Sequence, residues 1–397
     1  MTSRGDLRVE DPERYRGRTR RAVRGKGRRR FWLRRIGVLV LILLLWLTWS
    51  IGSALTAPGT DTTSARLAEW GRFHGLGWVV SYLEQAQYKA SPPKVGGSLA
   101  GGIPRISSTK PSSSHTSKPP GYLAPPSPIP PQAQPALPGE GAWQSLVSLH
   151  GQPAIRAAFL RPDSQHTSYL VGVTWMNQNL VKMALHPGYK VPGATVALSE
   201  PSQIANSEKD ALLATFNSGF TMVDANGGYW QDGQTVVPLH QGGASMVLYK
   251  NGHVDVVSWN AATPGPDVAA VRQNLGLLVD NGAINPYVDS TTTTTWGATL
   301  GNKTYVWRSA VGVRKDGSLI FVVGASMSVR TLANIVHDAG AVRAMELDIN
   351  PQWTNFITYS HPSPGVAVPQ MLTKDEQADP YRYLSPSSRD FIAVLAR

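Results

Sequence analysis

The chain has 397 residues, no cysteine and a formal net charge of +12 at pH 7. Residues 1–35 hold 14 Lys and Arg against 4 Asp and Glu, so this tail carries +10 of the net charge. Its arginine run is interrupted by glycines and has no periodic apolar residues, which disfavours a nucleic-acid partner. The absence of cysteine excludes disulfides, thiol catalysis and cysteine-ligated metal sites.

A membrane anchor follows the basic tail. Residues 36–55, IGVLVLILLLWLTWSIGSAL, are uncharged and long enough as a helix to cross a hydrocarbon core of about 30 Å. Arg34 and Arg35 abut its start, so the positive-inside rule predicts a cytoplasmic N-terminus and an extracellular C-terminal domain in a single-pass cell-membrane protein. A cleaved signal peptide is the alternative, but the basic region is long and the apolar run exceeds the usual ~7–15 residues of a signal.

Composition divides the rest of the chain. Residues 56–89 read as a juxtamembrane amphipathic segment that Gly75 and Gly77 interrupt. Residues 90–140 are rich in Pro, Ser and Gly, which predicts a disordered linker that lifts the following domain off the membrane. Residues 141–397 contain dense strand signals and form the predicted globular domain.

The globular part is predicted to be α+β, a mixed β-sheet domain with hairpins and packed helices. Asn251-Gly252 lies between alternating strands, as a tight hairpin turn requires, and Asp316-Gly317 does the same, which makes Asp316 a turn residue. In SVRTLANIVHDAG the cap Ser328, the apolar period and the terminal Gly340 predict one helix.

The strand AVRAMELDIN, residues 341–350, carries two carboxylates on one face. Alternation places Glu346 and Asp348 opposite Met345 and Leu347, with about 6.6 Å between positions two apart. Two carboxylates at this reach suit acid and base catalysis at a glycosidic centre, because their repulsion separates their pKa values. A strand with one solvated face is the plainer alternative.

Three blocks resemble the phosphodiester glycosidase family: ALLATFNSGF at 211–220, WRSAVGVRKDGSLIFVV at 307–323 and SVRTLANIVHDAGAVRAMELD at 328–348. The resemblance spans roughly residues 150–370. It implies a catalytic role for Asp348 and substrate binding by the following residues: Arg308, Ser309, Asn217 and Gly219. Glu346 joins Asp348 as a catalytic candidate because strand alternation places both on one face. Arg308 would hold a phosphodiester through its planar fork, and Asn217 would hold a sugar hydroxyl.

Two further substrate-binding candidates come from the sequence around these blocks. Trp353 can stack on a sugar ring or belong to the core. His240 lies in a Gly-rich loop that can border the cleft, with a structural hydrogen bond as its alternative role. HExxH, Walker A and G-x-S-x-G motifs are absent, which disfavours zinc proteases, nucleotide phosphate loops and α/β-hydrolases.

The chain departs from the family pattern at three places. Ser218 stands where the family usually has Gly, and Glu346 stands where it has Asn. The Gly-rich run that follows the family's Asp is replaced by residues 349–353, INPQW. This replacement removes a flexible N–H-lined cradle for an anion.

These patterns together predict a membrane-anchored extracytoplasmic hydrolase that cleaves a sugar from a glycosyl phosphodiester, with cell-envelope glycans as substrate class. The alternative is a non-catalytic glycan-binding module that keeps the fold. A third reading makes the basic tail the functional end, which docks cytoplasmic partners or anionic lipids. The motifs require no cofactor, although Asp348 can also serve as a ligand of Ca²⁺ or Mg²⁺.

Overall fold

A computed structural model describes residues 13–106, 121–193, 195, 197–290, 293–296 and 304–397. Side chains are described from residue 31 onward, apart from those at 81, 84, 85, 89, 293 and 294. The start of the basic tail, the centre of the predicted linker and most of the residues between 291 and 303 lie outside these ranges. Two compact units are present, Met1–Ala57 and Pro58–Arg397.

The described helices, numbered in chain order, are α1 (Glu13–Leu55), α2 (Thr63–Phe73), α3 (Gly77–Ala90), α4 (Thr293–Trp296) and α5 (Val329–Asp338), with a 3₁₀ turn at Lys209–Ala211. Within α1, Phe31–Leu55 has a mean hydropathy of 2.3 and is the one described segment long and apolar enough to cross a bilayer. A signal sequence near an N-terminus has the same properties.

The described strands form three sheets in which every strand pair is antiparallel. Sheet 1 has the order β1-β2-β3-β14-β13-β15-β11-β12, with β1 (Gln144–Leu149), β2 (Gln152–Leu160), β3 (Val171–Met176), β11 (Leu277–Asp280), β12 (Ala283–Ile284), β13 (Val306–Arg314), β14 (Leu319–Met327) and β15 (Ala341–Glu346). Sheet 2 has the order β17-β16-β5-β18-β4, with β4 (Val181–His186), β5 (Leu212–Asn217), β16 (Phe356–Ser360), β17 (Val368–Met371) and β18 (Phe391–Ala396). Sheet 3 has the order β7-β6-β10-β8-β9, with β6 (Tyr229–Gln231), β7 (Gln234–Val237), β8 (Ala244–Tyr249), β9 (Val254–Ser258) and β10 (Val268–Gln273).

The α+β prediction is confirmed, and its local signals explain the turns. Gly252 and Gly317 adopt φ of +79° in the β8–β9 and β13–β14 hairpins, a conformation that favours glycine. Asp316 Oδ1 accepts the Ser318 N–H at 3.0 Å, so Asp316 is a turn residue. Helix α5 begins after Ser328, whose Oγ accepts the Thr331 N–H at 2.9 Å.

The main hydrophobic core joins the three sheets. It contains Phe216 of β5, Phe321 of β14, Phe356 of β16 and Met246 of β8, all buried. The Phe216 ring centroid lies 4.8 Å from that of Phe321 and 6.1 Å from that of Phe356. This packing brings the C-terminal end of β5 close to the β13–β15 pair, where the predicted site residues lie.

Part of the Pro/Ser/Gly-rich segment lies against this unit. Ile129 and Ala133 are each 1% exposed, and Ile129 belongs to the hydrophobic cluster beneath α5. Earlier in the segment, the Ile106 N–H donates to Gln144 Oε1 at 2.7 Å. Because these residues bury apolar surface or pair with β1, the described parts of the segment are ordered on the domain.

Candidate functional site

The two predicted carboxylates lie where β15 leaves sheet 1. β15 ends at Glu346, earlier than the predicted Asn350, but its pairing with β13 continues: Leu347 N–H donates to Ser309 O at 2.8 Å and Ser309 N–H donates to Asp348 O at 2.9 Å. Glu346 is 0% exposed and Asp348 is 2% exposed. They are therefore not the solvated face of an ordinary strand.

Glu346 forms a buried ion pair with Arg308 of β13. Arg308 Nη1 donates to Glu346 Oε1 at 2.5 Å, and Arg308 Nε donates to Met327 O at 2.8 Å. Glu346 Oε2 is buried and has no hydrogen-bond partner among the described residues. The Arg308 fork is thus directed at a carboxylate whose second oxygen is still available.

Asp348 has a different set of partners. Its Oδ1 accepts the N–H groups of Ile349 at 2.7 Å and Asn350 at 2.9 Å, and its Oδ2 accepts from Arg389 Nη2 at 3.1 Å. The INPQW stretch at residues 349–353 therefore folds back onto Asp348 through its first two amides. These contacts fix the orientation of the carboxylate.

Burial raises the pKa of both carboxyls. For Glu346, desolvation is the largest effect, the Arg308 charge and hydrogen bond oppose it, and the nearby Asp348 raises the pKa further. For Asp348, desolvation again dominates, while Arg389 and the two amides oppose it. Each carboxyl thus has its own arginine, and the charge of Asp348 also acts on Glu346.

Ser309 and Asn217 connect the carboxylates to sheet 2. Asn217 Nδ2 donates to Ser309 Oγ at 3.0 Å, and Asp348 N–H donates to the same oxygen at 3.2 Å. Asn217 Oδ1 accepts the Asn355 N–H at 3.3 Å. The predicted residues Asn217, Ser309 and Asp348 therefore form one hydrogen-bonded chain.

The loop after β5 packs tightly on the end of β10. A Cβ on Gly219 would lie 3.1 Å from both Arg272 Nη2 and Asn274 Oδ1, which explains a glycine at this position. Asn274 accepts the Phe220 N–H at 3.1 Å and donates to Glu346 O at 2.8 Å, so it ties this loop to the carboxylate segment. Arg272 in turn pairs with buried Asp390 at 2.7 Å.

Trp353 lies beside the site rather than in an open cleft. It is 5% exposed, and its ring has Arg382 Cζ 4.6 Å and Arg389 Cζ 4.9 Å from the centroid. Both distances are in the range of cation–π contacts. In the described state the ring therefore contacts arginines, as a packed residue would.

Helix α2 supplies a further acidic group to this region. Glu69 of α2 is buried, with Oε1 3.5 Å from Arg389 Nη1 and Oε2 3.5 Å from Lys190 Nζ. Asp61, just before α2, accepts from Ser388 Oγ at 2.7 Å. The predicted juxtamembrane segment thus packs directly on the arginine that holds Asp348.

Among the described residues, the hydrogen bonds that join His240 to the end of β10 come from its backbone. Its N–H donates to Gln273 Oε1 at 2.7 Å and its carbonyl accepts from Gln273 Nε2 at 2.9 Å. The residue is exposed. Among the described residues, no hydrogen bond or ion pair joins its imidazole to Asp348 or Glu346.

Sequence reasoning missed the residues that hold the site from a distance, above all Arg389, Asn274 and Glu69. Arg389-Asp390 directly precedes the apolar run FIAVLA of β18. Charged residues at the start of a buried strand are a sequence signal that could have identified them as site candidates. Asn274 follows β10 in the same manner. Nothing in the local pattern of α2 predicts that Glu69 faces Arg389.

Comparison with known proteins gives one family match. Residues 210–348 match the sequence model of the phosphodiester glycosidase family. No curated protein shows a significant match.

Several solved structures resemble the chain at low identity. One is the zebrafish N-acetylglucosamine-1-phosphodiester alpha-N-acetylglucosaminidase catalytic domain, auto-inhibited by its pro-peptide, at 14% identity and TM-score 0.41, covering 64% of this chain and 87% of that one. A hypothetical protein from Synechocystis has 14% identity and TM-score 0.35 over 62% of this chain and 63% of its own. A protein from Burkholderia pseudomallei that is named as exported has 12% identity and TM-score 0.30, and the match covers 59% of this chain and 75% of that one.

Proposed function

Because residues 210–348 match the sequence model of the phosphodiester glycosidase family, we propose that this chain is a membrane-anchored hydrolase that cleaves a sugar from a glycosyl phosphodiester outside the cytoplasm. In this reaction water adds to the anomeric carbon, the bond from that carbon to the phosphate oxygen breaks, and a phosphate monoester leaves. The substrate class is a sugar phosphodiester of the cell envelope.

The observation that carries the proposal is the pairing of two buried carboxyls with two arginines at the end of β15. Asp348 with Arg389 and Glu346 with Arg308 supply acid, base and cationic groups within one hydrogen-bonded region. Buried ion pairs cost desolvation energy, so two of them at one strand end are an expensive way to stabilise a fold. The concentration of four such groups is typical of a site that handles charge.

The roles follow from the environment of each group. Asp348, held by two amides and Arg389, acts as the base that takes a proton from water. Glu346 has a pKa raised by burial, so it is able to hold a proton, and in that neutral form it leaves the Arg308 charge for a phosphate oxygen. In this proposal Asn217, which donates a hydrogen bond to Ser309, orients a sugar hydroxyl.

The proposed membrane location of the protein is based on helix α1. Phe31–Leu55 is apolar enough to serve as the anchor, and the basic residues before it favour a cytoplasmic N-terminus. The domain would then act on the outer side of the cell membrane. Uncleaved full-length protein in the membrane fraction, with residues 141–397 accessible to external protease, is the expected behaviour.

A non-catalytic glycan-binding module is the second candidate, and a specific observation favours it. Both carboxylates are buried and already paired, and INPQW occupies the place of the family's Gly-rich run. If the site does not open, the fold would present only its surface loops, including the exposed His240, to a glycan.

Detergent-solubilised full-length protein assayed on a panel of sugar phosphodiesters tests both candidates. The variants are Asp348→Asn and Arg308→Lys, with His337→Gln on α5 as a surface control. Turnover that falls by about 10²–10⁴-fold in Asp348→Asn, with the control unchanged, supports the hydrolase. Glycan binding without turnover by the parent protein supports the binding module. Parallel reactions with Ca²⁺, Mg²⁺ or EDTA test the cation requirement.

A further inference from the structure

A second group of polar side chains lies at the end of β4, an edge strand of sheet 2. His186 ends β4, is fully buried and stacks on Phe391, with ring centroids 4.8 Å apart and an interplanar angle of 11°. Its Nδ1 lies 3.0 Å from Pro201 O. Since a carbonyl oxygen can only accept, Nδ1 carries the proton of that hydrogen bond, and neutral His186 presents a lone pair at Nε2.

Nε2 of His186 is directed at two glutamates. It is buried, no described residue forms a hydrogen bond with it, and it lies 3.4 Å from Glu208 Oε1. One atom each from His186, Glu200 and Glu208 lie within 4.8 Å of one another. The second oxygen of Glu208 accepts the Ala205 N–H at 2.8 Å, which holds Oε1 toward the imidazole.

The group opens onto a cavity of about 320 Å³ that Glu200 and Glu208 line together with Lys182 and Asp232. Lys250 lines the cavity as well, so its three carboxylates and two ammonium groups leave one excess negative charge. The carboxylates of Glu200 and Glu208 also lie close enough to repel each other. A bound cation would relieve this repulsion.

We propose that His186, Glu200 and Glu208 bind a divalent transition metal of the Zn²⁺ class. Imidazole nitrogen with two carboxylates suits Zn²⁺ or Mn²⁺, whereas Ca²⁺ and Mg²⁺ prefer oxygen ligands alone. The Nδ1 hydrogen bond to a backbone carbonyl is the usual support of a metal-binding histidine. Bonds of about 2.0–2.2 Å require the three atoms to approach each other by roughly 1 Å, which the two half-buried glutamates allow.

The site is structural and independent of the hydrolase proposal. The metal would attach the segment that contains Glu200 and Glu208 to the end of β4. That segment leads through the 3₁₀ turn at Lys209–Ala211 into β5. Metal binding to the folded chain alone stabilises it by mass action. The cavity leaves room for water at the remaining coordination positions.

Equilibrium dialysis of metal-stripped, detergent-solubilised full-length protein against Zn²⁺, Mn²⁺, Ca²⁺ or Mg²⁺ at pH 7 tests the site, with bound metal measured by mass spectrometry. We expect one Zn²⁺ per chain, a rise of Tm with Zn²⁺, and binding at least tenfold weaker in Glu200→Gln and Glu208→Gln. His337→Gln is the matched control, because it alters another histidine beside a carboxylate, Asp338, at 3.1 Å. The control should bind like the parent.

Circular dichroism and the metal-free Tm check that each variant is folded. Glu208→Gln replaces the acceptor of the Ala205 amide and so can fail to fold. In that case the result for Glu200→Gln alone decides the test. The proposal is overturned by absence of stoichiometric Zn²⁺, by Zn²⁺ binding that Glu200→Gln leaves unchanged, or by preferential binding of Ca²⁺ or Mg²⁺.

Discussion

Arg389 donates a hydrogen bond of 3.1 Å to Oδ2 of Asp348, and both residues are buried. The other terminal nitrogen of the same guanidinium lies 3.5 Å from Glu69 of α2. One arginine thus links the predicted catalytic carboxylate to the helix that follows the apolar segment. The state of α2 and the charge balance around Asp348 are therefore coupled.

Glu69→Gln should loosen α2. The substitution keeps the side-chain shape but removes the charge that pairs with Arg389 and Lys190. Backbone amides of residues 63–73 should then exchange with deuterium roughly tenfold faster, which corresponds to about 1.4 kcal/mol of local stability. Ser64→Ala, an exposed position on the same helix, is the control and should leave exchange near the parent rate. Equal protection in Glu69→Gln and the parent would show that the ion pairs do not hold α2.

Arg308 and Glu346 should behave as one energetic unit. Arg308→Met leaves a buried carboxyl without its arginine, and Glu346→Gln leaves a buried guanidinium without its carboxylate, so each should lower the free energy of unfolding by about 3–5 kcal/mol. The double variant should cost clearly less than the two single costs combined. Urea unfolding of the three variants measures this coupling. Costs that simply add would contradict the pairing at 2.5 Å.

Glu376 predicts a pH dependence of stability. Burial raises its pKa from 4.5 to about 8, although the amides of Phe356 and Thr373 donate to it. The folded chain therefore keeps the proton that the unfolded chain loses, so stability falls as pH rises from about 4.5 to 8. Glu376→Gln cannot ionise and should gain on the parent by up to about 1.4 kcal/mol per pH unit in this window.

Urea unfolding of parent and Glu376→Gln at pH 5, 6, 7 and 8 checks this sign. Other groups titrate in both proteins and cancel in the comparison. Two stability curves that run parallel over this range would mean that Glu376 ionises in the folded chain much as it does in the unfolded chain.

Local sequence patterns predicted those parts of the fold that depend on near neighbours. The Asn251-Gly252 and Asp316-Gly317 turns and the Ser328 cap follow from backbone conformation and short-range hydrogen bonds, and the structure has all three. The common side of Glu346 and Asp348 follows from strand alternation. Their burial does not, because it depends on which elements fold over that side.

The partners of the site residues are long-range and lie outside the reach of such patterns. Arg308 was expected to face a phosphodiester, yet its fork is occupied by Glu346, a residue on the adjacent strand. Arg389 comes from the last strand and Glu69 from a helix near the apolar segment. Spacing along the chain does not predict the contacts of Arg389 with Asp348 and Glu69. These contacts depend on how sheets 1 and 2 and α2 pack together.

The position of the oxygen that water contributes tests the central claim most directly. The parent protein is incubated with a glycosyl phosphodiester in ¹⁸O-labelled water, and the label is located in both products by mass spectrometry. A glycosidase centred on Asp348 places the label on the anomeric carbon of the sugar and leaves the phosphate monoester unlabelled, and Asp348→Asn abolishes incorporation. Label in the phosphate, or labelled sugar that Asp348→Asn forms at the parent rate, would contradict the account.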